Sequence, residues 1–183
     1  LQAELEARNA RLVEMEQMLY QKDAILDELR EKVANALLGF EGNGLTVTRR
    51  GGKVYVSLEE QLLFKTGSTE VDPNGVRALQ QLAVVLANNP DIDIMIEGHT
   101  DNVPFRKGSS IKDNWDLSVL RATSIVRILM DAAQIDATRF TVAGRGEYLP
   151  VDKADTPEAR RKNRRTEIIL SPDLDELYRI LEL

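Results

Sequence analysis

The first 38 residues carry a seven-residue apolar repeat and contain neither glycine nor proline, which constrains the fold more than any other feature. One register of the repeat consists of Leu5, Leu12, Leu19, Leu26 and Val33. The second register consists of Leu1, Met15, Leu29 and Ala36, with interruptions at Arg8 and Lys22. A strict heptad suits a partner helix better than a globular face, so residues 1–38 are predicted to form a coiled coil that dimerises. The alternative is an amphipathic helix that lies on the chain's own domain.

Residues 45–171 are predicted to form one domain, joined to this helix by a linker at 39–44 and followed by a helical extension at 172–183. Alternating apolar residues on both sides of Gly51-Gly52 predict a β-hairpin. Further strands are predicted near 92–96, 140–142 and 166–170, with helices between them. This β–α–β–α–β order predicts an α/β fold, more closely an α+β two-layer sandwich with helices on one face of a mixed sheet.

The composition excludes several classes of function. The chain has no cysteine and a single histidine, His99, so thiol catalysis and multi-histidine metal centres are excluded. No nucleophile paired with a base is recognisable, and we expect a binding module with no cofactor rather than an enzyme. Lysine and arginine number 24 against 30 acidic residues, a formal net charge of −6 that argues against bulk binding of nucleic acid.

The chain begins at Leu1 and contains no apolar run of the ~20 residues that cross a bilayer. We expect it to be part of a longer protein whose membrane attachment lies upstream.

Two positions invite a functional interpretation. Glu97, His99 and Asp101 alternate at the end of a predicted strand, a spacing that places them on one face if the backbone stays extended. This pattern is weak for a metal site, and we expect no metal there, with Asp101 satisfying loop amides instead. Arg121 follows Leu117 by one helical turn, and its alternatives are ligand binding or a stem that packs at the core edge while the charge reaches solvent.

Three further segments have less specific interpretations. Residues 160–165 hold five cations but no aromatic platform, so a nucleic-acid site is not favoured. Gly144-Arg145-Gly146 is too short for a phosphate loop and predicts a tight turn. The polar loop 103–113 is long enough to be functional.

Five motifs follow one another along the chain: Leu63-Phe64-Lys65-Thr66-Gly67-Ser68, Ile96-Glu97-Gly98-His99-Thr100-Asp101-Asn102, Leu117-Ser118-Val119-Leu120-Arg121-Ala122, Gly144-Arg145-Gly146 and Asn163-Arg164-Arg165-Thr166-Glu167-Ile168. Taken in this order, they resemble the OmpA-like peptidoglycan-binding domain over about residues 44–171. Asn102-Val103-Pro104 and Asn114-Trp115-Asp116-Leu117-Ser118 are similar to the MotB-like branch of that family.

The resemblance implies that the domain grips the diaminopimelate of the peptidoglycan stem peptide without cleaving it. Asp101 and Arg121 then carry the binding, because a carboxylate accepts from the ligand ammonium and a guanidinium grips the ligand carboxylate. Backbone amides around Thr100 and Asn102 are expected to add donors. We also expect Leu117 to pack on the aliphatic stem, Arg164 to line the pocket near Asn163, and Arg165 to face solvent.

One departure from the family is Lys65, where many relatives carry an acidic residue or asparagine, and its charge is expected to affect ligand preference if it faces the peptide. The leading interpretation is a dimeric, non-catalytic wall anchor in the periplasm or envelope of a Gram-negative bacterium. The alternatives are a stator subunit that anchors an ion-driven motor, or a coiled-coil scaffold that binds no ligand.

Overall fold

The computed structural model describes residues 2–40, 42–65, 67–105 and 110–182. Its strands are β1 (Leu45–Arg50), β2 (Lys53–Glu59), β3 (Ile92–His99), β4 (Phe140–Gly144) and β5 (Arg165–Pro172). Its helices are α1 (Gln2–Ala36), α2 (Glu60–Leu63), α3 (Pro73–Ala87), α4 (Asn114–Ala132), α5 (Pro157–Asn163) and α6 (Asp175–Glu182). Among these described helices, none combines the length and the apolar character that crossing a bilayer requires.

The strands form one mixed sheet in the order β1-β2-β5-β3-β4, which confirms the predicted fold class. Neighbouring strands are antiparallel except β3 and β4, which are parallel. In sequence, α4 lies between these two strands. The predicted hairpin joins β1 to β2, where Gly51 and Gly52 have φ angles of 56° and 71°. Positive φ at both central residues is the requirement of a tight hairpin turn, and glycine meets it without strain.

The heptad register of α1 is divided between two environments. Leu26, Leu29 and Val33 are buried in the domain's own hydrophobic core, as is Leu37 just beyond the helix. These residues of α1 therefore belong to an amphipathic helix that lies on the chain's own domain, the alternative to a coiled coil. The helix contacts β1 and α3. The predicted linker 39–44 therefore follows a helix end that is already part of the core.

The other half of α1 projects beyond that core. Leu5, Leu12 and Leu19 are exposed and continue the register of the buried Leu26. Leu1, which was assigned to the second register, lies outside the described residues. Self-association through this first half stays a prediction.

A close contact between β3 and α4 sets where the end of β3 lies relative to that helix. A Cβ atom added at Gly98 overlaps the backbone carbonyl oxygen of Ser118. Only glycine lets the strand approach the helix this closely. The approach places Asp101, three residues after Gly98, and Arg121, three residues after Ser118, in the same part of the molecule.

We predict that Gly98→Ala destabilises the fold by about 3 kcal/mol, because the clash is with backbone and a packed core relaxes little. Gly39→Ala is the matched control: its added Cβ has no atom within 4 Å, and we expect a change within about 0.5 kcal/mol. Urea unfolding of both variants measures the difference. Equal stability of the two variants contradicts the assigned β3–α4 packing.

Candidate functional site

A cleft of about 520 Å³ opens where the end of β3, the start of α2 and the first turns of α4 meet. Its described lining consists of Glu60, Gly67, Thr100, Asp101, Val103, Pro104, Phe105, Asn114, Leu117, Arg121 and Arg164. Five of the six residues predicted for the site therefore line one cleft: Thr100, Asp101, Leu117, Arg121 and Arg164. The sixth, Asn102, is exposed and is not part of this lining.

Arg121 is buried at the cleft wall rather than reaching out to solvent, with 3% of its surface exposed. Its Nη2 donates to Oε1 of Glu60, and its Nε donates to the carbonyl of Ser68 at 3.0 Å. The guanidinium also lies over the ring of Phe64, 5.1 Å from the ring centre. Burial lowers the pKa of Arg121, and the neighbouring carboxylate of Glu60 opposes that shift. Arg121 is thus a fixed, oriented cation.

Glu60 and Arg164 connect Arg121 to Asp101. Nε of Arg164 forms an ion pair with Oε2 of Glu60 at 2.6 Å, and Nη1 of Arg164 donates to Oδ2 of Asp101 at 2.6 Å. The backbone N–H of Glu60 also donates to the carbonyl of Arg164 at 2.8 Å. The result is a chain of alternating charges, Arg121–Glu60–Arg164–Asp101, which we call the charge chain.

The loop that carries Asp101 is held by hydrogen bonds on both sides. Oδ1 of Asp101 accepts from the backbone N–H of Val103 at 3.0 Å, as predicted for a carboxylate that satisfies loop amides. Asn114 donates to the carbonyls of Asp101 and Val103 at 3.3 and 3.1 Å, and to Glu147 at 3.0 Å. The backbone N–H of Thr100 donates to Gly146 at 2.8 Å, so this amide already has a partner, contrary to its expected role as a ligand donor.

Three residues discussed from the sequence, Arg165, Asn163 and Lys65, lie outside the lining of the cleft. Arg165 does not face solvent: it is buried, and its Nε donates to Oε1 of Glu167 at 2.9 Å. Asn163 is also buried, and its side chain binds the backbone of Val151 and Asp152. Lys65 is exposed and is not part of the cleft lining. Thr66 and residues 106–109 of the predicted functional loop lie outside the described residues.

The expected common face of Glu97, His99 and Asp101 does not form, because β3 ends at His99 and Asp101 lines the cleft. Glu97 and His99 instead meet Glu167, with ligand-type atoms within 4.8 Å of one another and all three side chains buried. Arginines surround this cluster: Arg145 and Arg165 bind the two glutamates at 2.9 Å, and Arg50 lies 3.5 Å from Glu167.

These guanidinium groups already neutralise both carboxylates, so a further cation gains little there. The cluster is best described as a buried ion-pair network. That it holds no metal stays a prediction.

His99 is 2% exposed within this network, and burial lowers its pKa from 6.5 to about 4, with Arg165 adding to the effect. Its Nε2 lies 3.0 Å from Oε1 of Glu97, but without the geometry of a hydrogen bond. His99 is therefore neutral in the folded protein at neutral pH, whereas the unfolded chain binds a proton below about pH 6.5.

Because the unfolded state binds the additional proton, His99 makes the folded state lose stability as the pH falls from about 6.5 towards 4. The loss attributable to this residue is about 3 kcal/mol. We predict that His99→Gln removes it, so that the stability advantage of the wild type over the variant shrinks by that amount between pH 7 and pH 4. Urea unfolding across this range measures it, and an advantage that stays constant with pH contradicts the burial of a neutral His99.

The cleft has the chemistry of a binding site for a ligand with two opposite charges. Asp101 offers a carboxylate, Arg121 offers a guanidinium, and Leu117 adds apolar surface to the same lining. Glu60 was missed by the sequence analysis. It follows Glu59 directly, and nothing in the sequence indicates which of the two glutamates points into the cleft.

The chain is similar to several known proteins. A model of the OmpA family matches residues 63–164. Motility protein B of Bacillus subtilis is 36% identical over 119 residues, which cover 65% of this chain but only 45% of that protein. The chain therefore spans less than half the length of that relative.

The fold is also similar to that of solved structures, including the two that follow. A putative MotB-like protein from Desulfovibrio vulgaris has a TM-score of 0.77 and 27% identity, covering 87% of this chain and 99% of that one. The cell wall anchor of the T6SS from Pseudomonas aeruginosa has a TM-score of 0.68 and 26% identity, covering 77% of this chain and 97% of that one.

Proposed function

The chain belongs to the OmpA family, and we propose that it binds peptidoglycan without cleaving it, through the diaminopimelate of the stem peptide. The observation that carries the proposal is the presence of Asp101 and Arg121 in the wall of one cleft. The solved wall anchor from Pseudomonas aeruginosa supports it, since that protein shares the fold at 26% identity.

Diaminopimelate ends in an amino-acid zwitterion, with an ammonium and a carboxylate on one carbon. Asp101 accepts from the ammonium, and the guanidinium of Arg121 donates to the carboxylate. Leu117 lines the same cleft and packs on the aliphatic stem. No nucleophile or metal is needed, so the ligand is held and then released unchanged.

At the level of the whole protein, we propose that this binding fixes an envelope protein to the cell wall. A second candidate, the anchoring of an ion-driven motor to the wall, is favoured by the 36% identity with Motility protein B. Both candidates use the same cleft. They differ in the membrane attachment that each requires: a transmembrane helix with a proton-carrying aspartate indicates the motor, and a lipidated cysteine indicates a static anchor.

We predict that the protein sediments with purified, diaminopimelate-containing sacculi and that Asp101→Asn weakens this binding strongly. Loss of a buried, hydrogen-bonded charge partner costs roughly 2–5 kcal/mol, enough to abolish a modest affinity. Arg121→Lys is expected to fail similarly, because an ammonium cannot reproduce the guanidinium fork. A pelleting assay with quantified bound fraction measures both variants.

The matched control is Asp155→Asn, which removes an exposed carboxylate paired with Arg160 outside the cleft and should leave pelleting unchanged. Thermal melts establish that each variant is folded. If Asp101→Asn pellets as much as the wild type does, the binding site does not depend on the cleft. Release of soluble muropeptides by the pure protein contradicts the absence of catalysis, and a loss of binding on chelation contradicts the absence of a metal.

We further propose that the first half of α1 pairs with the same segment of a second copy, which places two clefts side by side and raises avidity. Leu5, Leu12 and Leu19 are exposed and spaced by heptads, the pattern of a parallel coiled coil. No nucleic acid is involved in this assembly.

Light scattering of the whole chain at tens of micromolar is predicted to show a dimer, and the combined change Leu5→Lys, Leu12→Lys and Leu19→Lys is predicted to show a monomer. Charges at heptad core positions oppose pairing without touching the domain core. Val84→Lys, at an exposed apolar position of α3, is the control and should leave the dimer intact. A monomeric wild type at this concentration contradicts the proposal.

A further inference from the structure

We propose that Glu60 and Arg164 form an internal substitute for the two charges of the ligand and that the ligand displaces this substitute from Asp101 and Arg121. This inference rests on the proposed function, because it assumes that a zwitterion binds between those two residues. Glu60 lies outside the range that the family model matches, and sequence analysis gave it no role.

Each predicted binding group is already engaged by a group of the ligand's charge type. Nη1 of Arg164, a cation, binds Oδ2 of Asp101 at 2.6 Å, in the position expected for the ligand ammonium. A carboxylate oxygen of Glu60 binds Nη2 of Arg121, in the position expected for the ligand carboxylate. The unliganded cleft thus already holds one anion and one cation between its two binding residues.

The two internal groups are also bound to each other, and this makes an exchange feasible. Nε of Arg164 and Oε2 of Glu60 form an ion pair at 2.6 Å, and the two residues are joined by a backbone hydrogen bond of 2.8 Å. When the ligand takes Asp101 and Arg121, the internal pair keeps this mutual contact. No buried charge is left without a partner before or after the exchange, which avoids the large penalty of an unpaired buried ion.

The exposures of the side chains indicate which half moves. The side chain of Arg164 is 34% exposed, whereas that of Arg121 is 4% exposed and is also fixed by Ser68 and Phe64. Arg164 therefore has room to turn towards solvent, with Glu60 following its partner. Arg121 stays in place as the fixed end of the site.

The exchange explains how the cleft selects a ligand with both charges. A ligand with an ammonium alone displaces Arg164 from Asp101 and leaves the cleft with one excess positive charge. A ligand with carboxylates alone displaces Glu60 from Arg121 and leaves an excess negative charge. Only a zwitterion replaces the internal pair without changing the charge of the cleft, so Glu60 and Arg164 are specificity-determining residues.

Calorimetry on the whole chain tests this with three probes of similar length: meso-diaminopimelate, pimelate, which lacks the ammonium groups, and cadaverine, which lacks the carboxylates. The wild type is expected to bind diaminopimelate and reject the other two. Glu60→Gln is expected to bind diaminopimelate at least about tenfold more tightly and to accept pimelate, because Arg121 no longer has an internal anion. Arg164→Gln is expected to accept cadaverine, because Asp101 no longer has an internal cation.

The matched controls are Glu59→Gln and Arg161→Gln. These residues form a neighbouring ion pair, 3.6 Å between Nε and Oε2, outside the lining of the cleft, and their loss should leave all three probes unchanged. The double variant Glu60→Gln with Arg164→Gln keeps the cleft neutral and is expected to bind diaminopimelate more tightly than the wild type. Thermal melts show that each variant is folded.

A wild type that binds diaminopimelate together with a folded Glu60→Gln that binds it equally or more weakly overturns the exchange and leaves the proposed function standing. A Glu60→Gln variant that binds when the wild type does not supports the exchange and shows the internal pair to be dominant. If no variant binds any probe and the wild type does not pellet with sacculi, the proposed function fails, and the exchange fails with it.

Discussion

The geometry of the cleft depends on the charge chain of Arg121, Glu60, Arg164 and Asp101. Each member is buried or half-buried, so each has lost hydration that an opposite charge at close range offsets. The alternation of sign therefore gives every member a partner of opposite charge. It joins four segments that are distant in sequence: α4, the first residue of α2, the residue before β5 and the loop after β3. Removing one member leaves its neighbour a buried ion with too few partners.

The chain has a second buried charged network, and the contrast between the two supports the assignment of the site. Glu97, His99 and Glu167 lie among three arginines near the sheet and away from the cleft lining. The charge chain, in contrast, borders an open cleft with apolar residues such as Leu117 and Phe105 beside it. Within the second network, the buried His99 links the ion pairs to the pH dependence of stability.

Much of this was predictable from sequence where one local pattern has one structural meaning. The alternation of Ile92, Ile94 and Ile96 predicted a strand, and the Gly51-Gly52 pair predicted a hairpin. The motifs around Asp101 and Arg121, through their resemblance to a family, predicted that the two residues share one site. The heptads of α1 have two meanings, because the same spacing suits a partner helix at Leu12 and the chain's own core at Leu26. Glu60 was not predictable, because its partner Arg121 lies about 60 positions away. The burial of Arg165 was not predictable either, because it depends on β5 lying between β2 and β3 in the sheet.

The central claim is that the cleft recognises both charges of one amino-acid zwitterion. The most direct measurement is a calorimetric comparison, on the whole chain, of two stem peptides that differ only in diaminopimelate or lysine at the third position. Lysine keeps the ammonium and lacks the carboxylate that Arg121 receives. The account predicts binding of the diaminopimelate peptide and at least about tenfold weaker binding of the lysine peptide, in line with the loss of a charge-assisted contact. Equal binding of the two peptides contradicts it.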